Sequence, residues 1–217
     1  MTVAVDAVDR GIYNEWMDTV VKMTHSVGYI GVAHHHRDPY VSIASALDVE
    51  FTAICEPGAS IDRSELTAMD ERPDEITTEG AAVAEVLSDA TIFEDPHTLI
   101  READPDVVWI TYRNDTTPSI VETAVECGVH VVSEKPIART AGDLRGIAAD
   151  ARASGVTVSP TLYYRCNPVA LDLRERVDSG FFGDVWTLDG RFNASQLTYR
   201  DTDHYLYDRA VSRGGAL

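Results

Sequence analysis

The segment "PDVVWITYRNDTTPSIVETAVECGVHVVSEKP", residues 105–136, decides the predicted fold. Its opening, 105–112, is rich in Val, Ile and Trp, which predicts a buried strand. A helix stopped by Gly128 is predicted next, over 118–128. Residues 129–134 predict a second strand. A strand, a helix and a strand in this order form the βαβ unit of a parallel sheet.

The same alternation continues on both sides of this segment. It predicts a doubly wound, Rossmann-type α/β fold with a parallel sheet over about residues 26–160. The other predicted strands are 26–32, 49–56, 90–93 and 156–164, and the other predicted helices are 39–47, 81–88, 96–103 and 140–155.

The alternation of strand and helix patterns changes after residue 160. A helix closed by a Gly-x-x-Gly turn is predicted over 167–184, and an alternating, half-exposed strand over 185–195. We therefore interpret 161–217 as the beginning of a second, α+β domain with an open mixed sheet, and we expect it to be incomplete. Residues 1–25 form an N-terminal extension of uncertain status.

Charge and composition exclude several classes of protein. The 217 residues carry 36 acidic and 18 basic side chains, a net charge of −18, which repels nucleic acid and anionic membranes. The acids are spread along the chain, as on halophile-like surfaces adapted to high salt. Neither a membrane span nor a secretory leader is predicted, so we expect a cytoplasmic protein. Three scattered cysteines predict neither disulfides nor a cysteine-built zinc site.

The loop after the first predicted strand reads "GVAHHH", residues 31–36, where a dinucleotide fingerprint G-x-G-x-x-G would hold a pyrophosphate. Gly31 occupies the first glycine position, Ala33 is a near substitute at the second, and His36 occupies the third. The loop follows a strand and precedes a helix, and this context favours a phosphate-binding loop.

Glu56 closes the second predicted strand. A carboxylate there can accept hydrogen bonds from both ribose hydroxyls of an adenosine, and it would repel a 2′-phosphate. Glu56 thus predicts NAD as the cofactor in preference to NADP, the alternative being an exposed loop acid.

The three consecutive histidines allow a different interpretation, a metal site, because imidazole is a common ligand. Consecutive side chains point in different directions, however, and no H-E-x-x-H motif accompanies them. We predict no metal, and expect His34 and His36 to contact phosphate or line a nicotinamide pocket.

The strand 129–133 ends on Glu134-Lys135-Pro136, at the sheet edge where ligands of open α/β sheets bind. A lysine there can hydrogen-bond a substrate hydroxyl and stabilise alkoxide-like charge during hydride transfer. The alternative is a surface ion pair at a strand end.

The stretch "AVECGVHVVSEKPIA" and the stretch "YYRCNPVALDLRERVDSGFFGDVWTLDGRF" resemble the glucose-fructose oxidoreductase/inositol dehydrogenase (Gfo/Idh/MocA) family. The closing "RGGAL" is similar to the start of the family's Gly-Gly segment. The resemblance covers about residues 26–217 and implies an NAD(P)-dependent oxidoreductase acting on a CH–OH group of a sugar, cyclitol or related hydroxy or carbonyl substrate. It also implies that a full-length form can be a homo-oligomer.

The resemblance implies a role for individual residues. Lys135 is the catalytic or substrate-orienting lysine, and the cofactor's surroundings comprise Gly31, Ala33, His34, His36, Glu56, Thr111, Tyr112, Glu134, Lys135 and Arg165. The family often has Thr-Pro where this chain has Thr111-Tyr112. Its Asp and His for substrate binding and proton transfer would fall beyond Leu217, so we expect poor turnover by the 217-residue chain. The alternative function is a non-catalytic dinucleotide-binding or regulatory protein.

Overall fold

The computed structural model describes the greater part of the chain. The described residues are 24–34, 36–37, 40–41, 44, 47, 49–61, 85–191 and 205–212. Several predicted features therefore lie outside them, namely the extension up to residue 23, the acidic stretch 62–80, the start of the helix 81–88, His35, the strand end 192–195 and "RGGAL" at 213–217.

A six-stranded sheet forms the centre of the protein. Its strands are β1 (His25–Ile30), β2 (Val49–Cys55), β3 (Thr91–Phe93), β4 (Val107–Ile110), β5 (His130–Ser133) and β6 (Val158–Pro160). The order across the sheet is β3-β2-β1-β4-β5-β6, and every neighbouring pair is parallel. This is the doubly wound order of a dinucleotide-binding domain, and it confirms the predicted Rossmann fold.

Helices connect the strands and continue beyond the sheet. They are α1 (Pro96–Ala103), α2 (Thr117–Cys127), α3 (Ala141–Ser154), α4 (Pro168–Asp178) and α5 (Arg209–Ser212), with short 3-10 turns at Tyr163–Cys166 and Tyr205–Tyr207. Between β1 and β2, residues 37, 40, 41 and 44 are helical as well. Local sequence explains where two of these helices begin. The Asp95 side chain accepts a hydrogen bond from the Thr98 amide and caps α1, and the Thr140 hydroxyl accepts one from the Asp143 amide and caps α3.

Two apolar clusters hold the layers together. One packs the sheet against α1, α2 and α3, and includes Leu99, Ile120 and Ile147. The other joins Tyr29 and Phe51 of the sheet to Val41, which belongs to the helical residues between β1 and β2. Burial of large apolar side chains on both faces is what a doubly wound parallel sheet requires.

Two sequence predictions need correction. The strand predicted over 185–195 is wrong for its described part, because residues 185–191 form no strand and Trp186 is 91% exposed. A strand needs a hydrogen-bonded neighbour, and none of the described strands lies beside this segment. The strand predicted over 156–164 is also too long: β6 ends at Pro160, and a 3-10 turn follows.

The helix predicted over 167–184 is confirmed as α4, with the Gly180 and Gly183 turn after it. The division into domains at residue 160 stays a prediction. No helix in the described ranges is long and apolar enough to cross a membrane.

Candidate functional site

The carboxyl edge of the sheet presents five residues in a row, each directly after a strand. The register pairs the last residues of neighbouring strands, so the first residues beyond them are neighbours too. Backbone hydrogen bonds continue the ladder here: Gly31 N donates to Cys55 O at 2.8 Å, and Glu134 N donates to Ile110 O at 2.7 Å. Across the sheet, the row reads Glu56, Gly31, Thr111, Glu134 and Thr161.

Gly31 opens the loop after β1 and is held tightly against the next strand. Its φ is +89°, and a Cβ at this position would lie 2.7 Å from the carbonyl carbon of Thr111. Only glycine fits such a contact without a shift of the backbone. The Thr111 hydroxyl, which is buried, donates to Gly31 O at 2.7 Å. Thr111 thus supports the loop from beneath, and the cofactor contact assigned to it stays a prediction.

Glu56 holds the other side of the same loop. Its Oε2 accepts the backbone amide of Ala33 at 2.8 Å. Burial raises the pKa of Glu56, and the Ala33 hydrogen bond opposes this effect. A carboxylate has two oxygens, so Glu56 can brace the loop with Oε2 and accept a ribose hydroxyl at Oε1. The ribose contact predicted for Glu56 stays a prediction.

The two described histidines of the loop face each other. The His36 amide donates to the Nδ1 atom of His34 at 3.1 Å, and the two rings meet edge to face at 5.1 Å. His36 then extends toward β5, where its Nδ1 lies 3.5 Å from Glu134 Oε1. Within the described part of the chain, no group of three His, Cys, Asp or Glu side chains has the arrangement of a metal site.

Glu134 is the centre of the polar contacts at this edge. The Tyr40 hydroxyl donates to its Oε2, and the Thr161 hydroxyl donates to the same oxygen at 2.7 Å. The Lys135 ammonium lies 3.2 Å from the other oxygen, Oε1. The peptide bond between Lys135 and Pro136 is cis. The structure thus places the predicted Glu134-Lys135 pair beside the predicted phosphate loop.

These contacts keep Glu134 ionised. Burial alone would raise the pKa of its carboxyl, but the His36 ring nitrogen beside Oε1 and the hydrogen bonds from Thr161 and Tyr40 outweigh burial and hold that pKa well below its usual range. The pKa of Tyr40 is raised well above its usual value, first by burial and then by its hydrogen bond to Glu134. At neutral pH the group is therefore a carboxylate held by neutral hydroxyls and an ammonium.

Two predicted cofactor residues lie further from this centre. The hydroxyl of Tyr112 donates to Pro57 O at 2.9 Å, which places its ring beside the end of β2. Arg165 lies in the exposed 3-10 turn after β6. Its guanidinium makes no hydrogen bond or ion pair to the described residues, so the structure does not bring Arg165 to Glu134.

An apolar cavity of about 550 Å³ begins next to Lys135 and runs along α3 and β6. Its lining includes Ile137, Leu144, Ile147 and Val158. A polyhydroxylated substrate needs hydrogen-bonding groups around it, because unpaired hydroxyls are costly to bury. The cavity is therefore unsuited to a polyhydroxylated ligand.

Sequence reasoning missed two residues of this site, Tyr40 and Thr161. Tyr40 belongs to the helical segment that follows the phosphate loop, and its position near the carboxyl edge was a usable signal. Thr161 was missed because it lies inside the predicted strand 156–164, whereas the observed strand β6 ends at Pro160 and leaves Thr161 directly after it.

A second missed feature is the return of the segment 205–212 to the same end of the sheet. The Arg139 guanidinium donates to Ala210 O at 2.9 Å, and the Arg113 guanidinium lies 5.8 Å from the centroid of the Tyr205 ring. No local pattern in the sequence indicates these contacts.

Comparison with known proteins agrees with this architecture. The family described as "Oxidoreductase family, NAD-binding Rossmann fold" matches residues 27–162. D-glucoside 3-dehydrogenase of Escherichia coli (strain K12) is 29% identical over 144 residues, covering 66% of this chain and 36% of that protein. Inositol 2-dehydrogenase of Salmonella typhimurium is 27% identical over 192 residues, covering 87% of this chain and 52% of that protein.

Solved structures show the same fold. A scyllo-inositol dehydrogenase from Lactobacillus casei, with bound NAD(H) and scyllo-inositol, has a TM-score of 0.59 at 19% identity and covers 75% of this chain and 43% of that one. A levoglucosan dehydrogenase in complex with NADH and levoglucosan has a TM-score of 0.58 at 20% identity, and the match covers 74% of this chain and 41% of that one.

The present chain spans at most about half the length of the curated relatives described above, 36% and 52%. The family match nevertheless covers most of the described sheet and its connecting helices. The chain therefore belongs to the oxidoreductase family with an NAD-binding Rossmann fold, as its resemblance to the Gfo/Idh/MocA family predicted.

Proposed function

We propose that this chain is the cofactor-binding part of an NAD-dependent oxidoreductase that acts on a hydroxyl or carbonyl carbon of a sugar or cyclitol. The observation that carries the proposal is the row at the carboxyl edge of the sheet. It places Glu56 on one side of the Gly31 loop and the Glu134-Lys135 pair on the other. A dinucleotide that lies along this edge would have its adenosine and nicotinamide ends near these two groups.

Cofactor binding would use four loop residues and Glu56. Gly31 and Ala33 allow the backbone to approach a pyrophosphate, while His34 and His36 supply imidazole groups beside it. Glu56 would accept the ribose hydroxyls and repel a 2′-phosphate, which is why we propose NAD in preference to NADP. When bound, the nicotinamide ring supplies the hydride acceptor or donor.

Lys135 would act on the substrate. Its side chain is about half exposed, at 48%, and its ammonium is directed to Glu134 Oε1 at 3.2 Å. From this position an ammonium can donate a hydrogen bond to the substrate oxygen and stabilise the negative charge that develops on it. As a neutral amine it can accept the hydroxyl proton during oxidation.

Tests of the cofactor role use intrinsic fluorescence. Trp109 packs against the ring of Tyr40 at 5.3 Å, so a ligand at this edge should change its emission. We expect NADH to bind about tenfold more tightly than NADPH. Glu56→Ala should weaken the binding of NADH by about tenfold, which corresponds to about 1.4 kcal/mol of binding free energy. Equal affinities for the two cofactors, unchanged by Glu56→Ala, would contradict the assignment of Glu56.

The catalytic role is tested in a longer version of the protein that spans the full length of its relatives. In that version Lys135→Ala should lower kcat by about two to four orders of magnitude with a panel of sugars and cyclitols. An unchanged kcat would refute the role of Lys135. Binding of NADH without turnover of any substrate in the panel would instead support a non-catalytic dinucleotide-binding protein.

A further inference from the structure

The two oxygens of Glu134 face different groups. Oε2 accepts hydrogen bonds from two neutral hydroxyls, those of Tyr40 and Thr161. Oε1 faces the Lys135 ammonium at 3.2 Å and the His36 ring nitrogen at 3.5 Å. One oxygen is thus anchored within the protein, and the other is presented to the groups at the open edge.

The anchors come from opposite sides of the site. Tyr40 belongs to the helical segment after β1, whereas Thr161 follows β6. Their hydroxyls lie 3.2 Å apart, which closes a triangle with Glu134 Oε2. The Tyr40 ring is itself held by packing, 5.3 Å from the ring of Trp109 and 5.7 Å from that of His36. A side chain packed in this way loses little freedom when it binds the carboxylate.

We propose that Tyr40 and Thr161 are positioning residues, which hold Glu134 so that Oε1 stays directed at Lys135. Two hydrogen bonds to one carboxylate oxygen fix the rotation of the carboxylate about its last bond, and the second oxygen then has a single direction. Without these anchors the carboxylate can rotate, and Lys135 loses its partner for part of the time. Only the effect expected on turnover rests on the proposed function; the positioning of Glu134 does not depend on it.

The composition of the chain offers a direct test that needs no substrate. The chain contains two lysines, Lys22 and Lys135, so Lys22 is an internal reference. The 217-residue protein is acetylated briefly at fixed pH with an N-hydroxysuccinimide ester, and the modification of each lysine is quantified by peptide mass spectrometry. The ratio of Lys135 to Lys22 modification reports how firmly Glu134 holds the Lys135 amine.

Four variants separate positioning from folding. Tyr40→Phe keeps the packed ring and removes the hydroxyl, and Thr161→Val removes the other hydroxyl. Each should raise the ratio about two- to fivefold, the range expected when a partly exposed ion pair is released. Thr161→Ser keeps a hydroxyl and should restore the wild-type ratio. Tyr163→Phe is the matched control, because the Tyr163 hydroxyl is hydrogen-bonded to Tyr164 and senses Glu134 only through the weakest of its electrostatic interactions.

The outcomes decide the proposal as follows. Wild-type ratios in both Tyr40→Phe and Thr161→Val, with melting temperatures near that of the wild type, would overturn it. An equal rise in Tyr163→Phe would overturn it as well, because the effect would then not depend on the anchors. In a longer version that spans the full length of its relatives, Tyr40→Phe should lower kcat about two- to fivefold and leave the Kd for NADH unchanged. A raised labelling ratio together with full activity of Lys135→Ala would support positioning and refute the proposed function of Lys135.

Discussion

Replacing Gly31 by alanine tests how closely the phosphate loop approaches the neighbouring strand. The substitution acts in two ways. An L-residue at the observed φ of +89° costs about 1–2 kcal/mol. The new methyl group would also lie 2.7 Å from the Thr111 carbonyl carbon, and overpacking of this kind costs about 1–3 kcal/mol. The sum is about 2–5 kcal/mol, with a central value of about 3.5 kcal/mol.

The matched control is Gly58→Ala. Gly58 has nearly the same φ, +81°, but no atom lies within 4 Å of the position of its added Cβ. Gly58→Ala should therefore cost only the conformational part, about 1–2 kcal/mol. Comparison of the two variants isolates the steric contact with Thr111.

The assay is thermal unfolding followed by circular dichroism, with an NADH titration of each variant. For a chain of this length 1 kcal/mol corresponds to about 2–4 °C, so Gly31→Ala should lower Tm by roughly 7–14 °C at the central value. NADH binding should weaken at least about tenfold, because the loop and Thr111 must move apart. A Tm loss no larger than that of Gly58→Ala would refute the close approach.

Three further predictions concern the same edge and the surface charge. Thr111→Val leaves Gly31 O without the 2.7 Å hydrogen bond and should lower the free energy of unfolding by about 1–3 kcal/mol in urea; an unchanged midpoint would contradict the supporting role. Because the pKa of Glu134 is lower in the folded protein than its usual 4.5, its contribution to stability is present above about pH 4.5 and is lost as the pH falls below it. Glu134→Gln should consequently lose less stability than the wild type between about pH 4.5 and pH 2 in urea titrations, and parallel curves would count against this reasoning. The net charge of −18 predicts that Tm rises by several degrees between about 0.1 M and 1 M KCl, as repulsion is screened over a Debye length that falls from about 10 Å to 3 Å; a constant Tm would show that repulsion is unimportant.

Much of the fold could be predicted because the relevant signals are local. The strand and helix of the segment 105–136 have distinct residue preferences, and both are observed as β4 and α2. The placement of Glu56 and Glu134 also followed, since each comes directly after a strand of a parallel sheet. The strand predicted over 185–195 was wrong over its described part, 185–191, for the converse reason. Its alternating pattern is local, but a strand also depends on a neighbour.

Local sequence was thus sufficient for the alternation of strands and helices, for the glycine that opens the loop, and for the acids at the strand ends. The environment of Glu134 could not be obtained in this way. Tyr40 is 94 residues from Glu134 along the chain and Thr161 is 27 residues from it. Their convergence on one carboxylate oxygen depends on the strand order, on the register that aligns the strand ends, and on where β6 stops. These are properties of the assembled sheet, because hydrogen-bond partners distant in sequence are set by which strands pair and in which register.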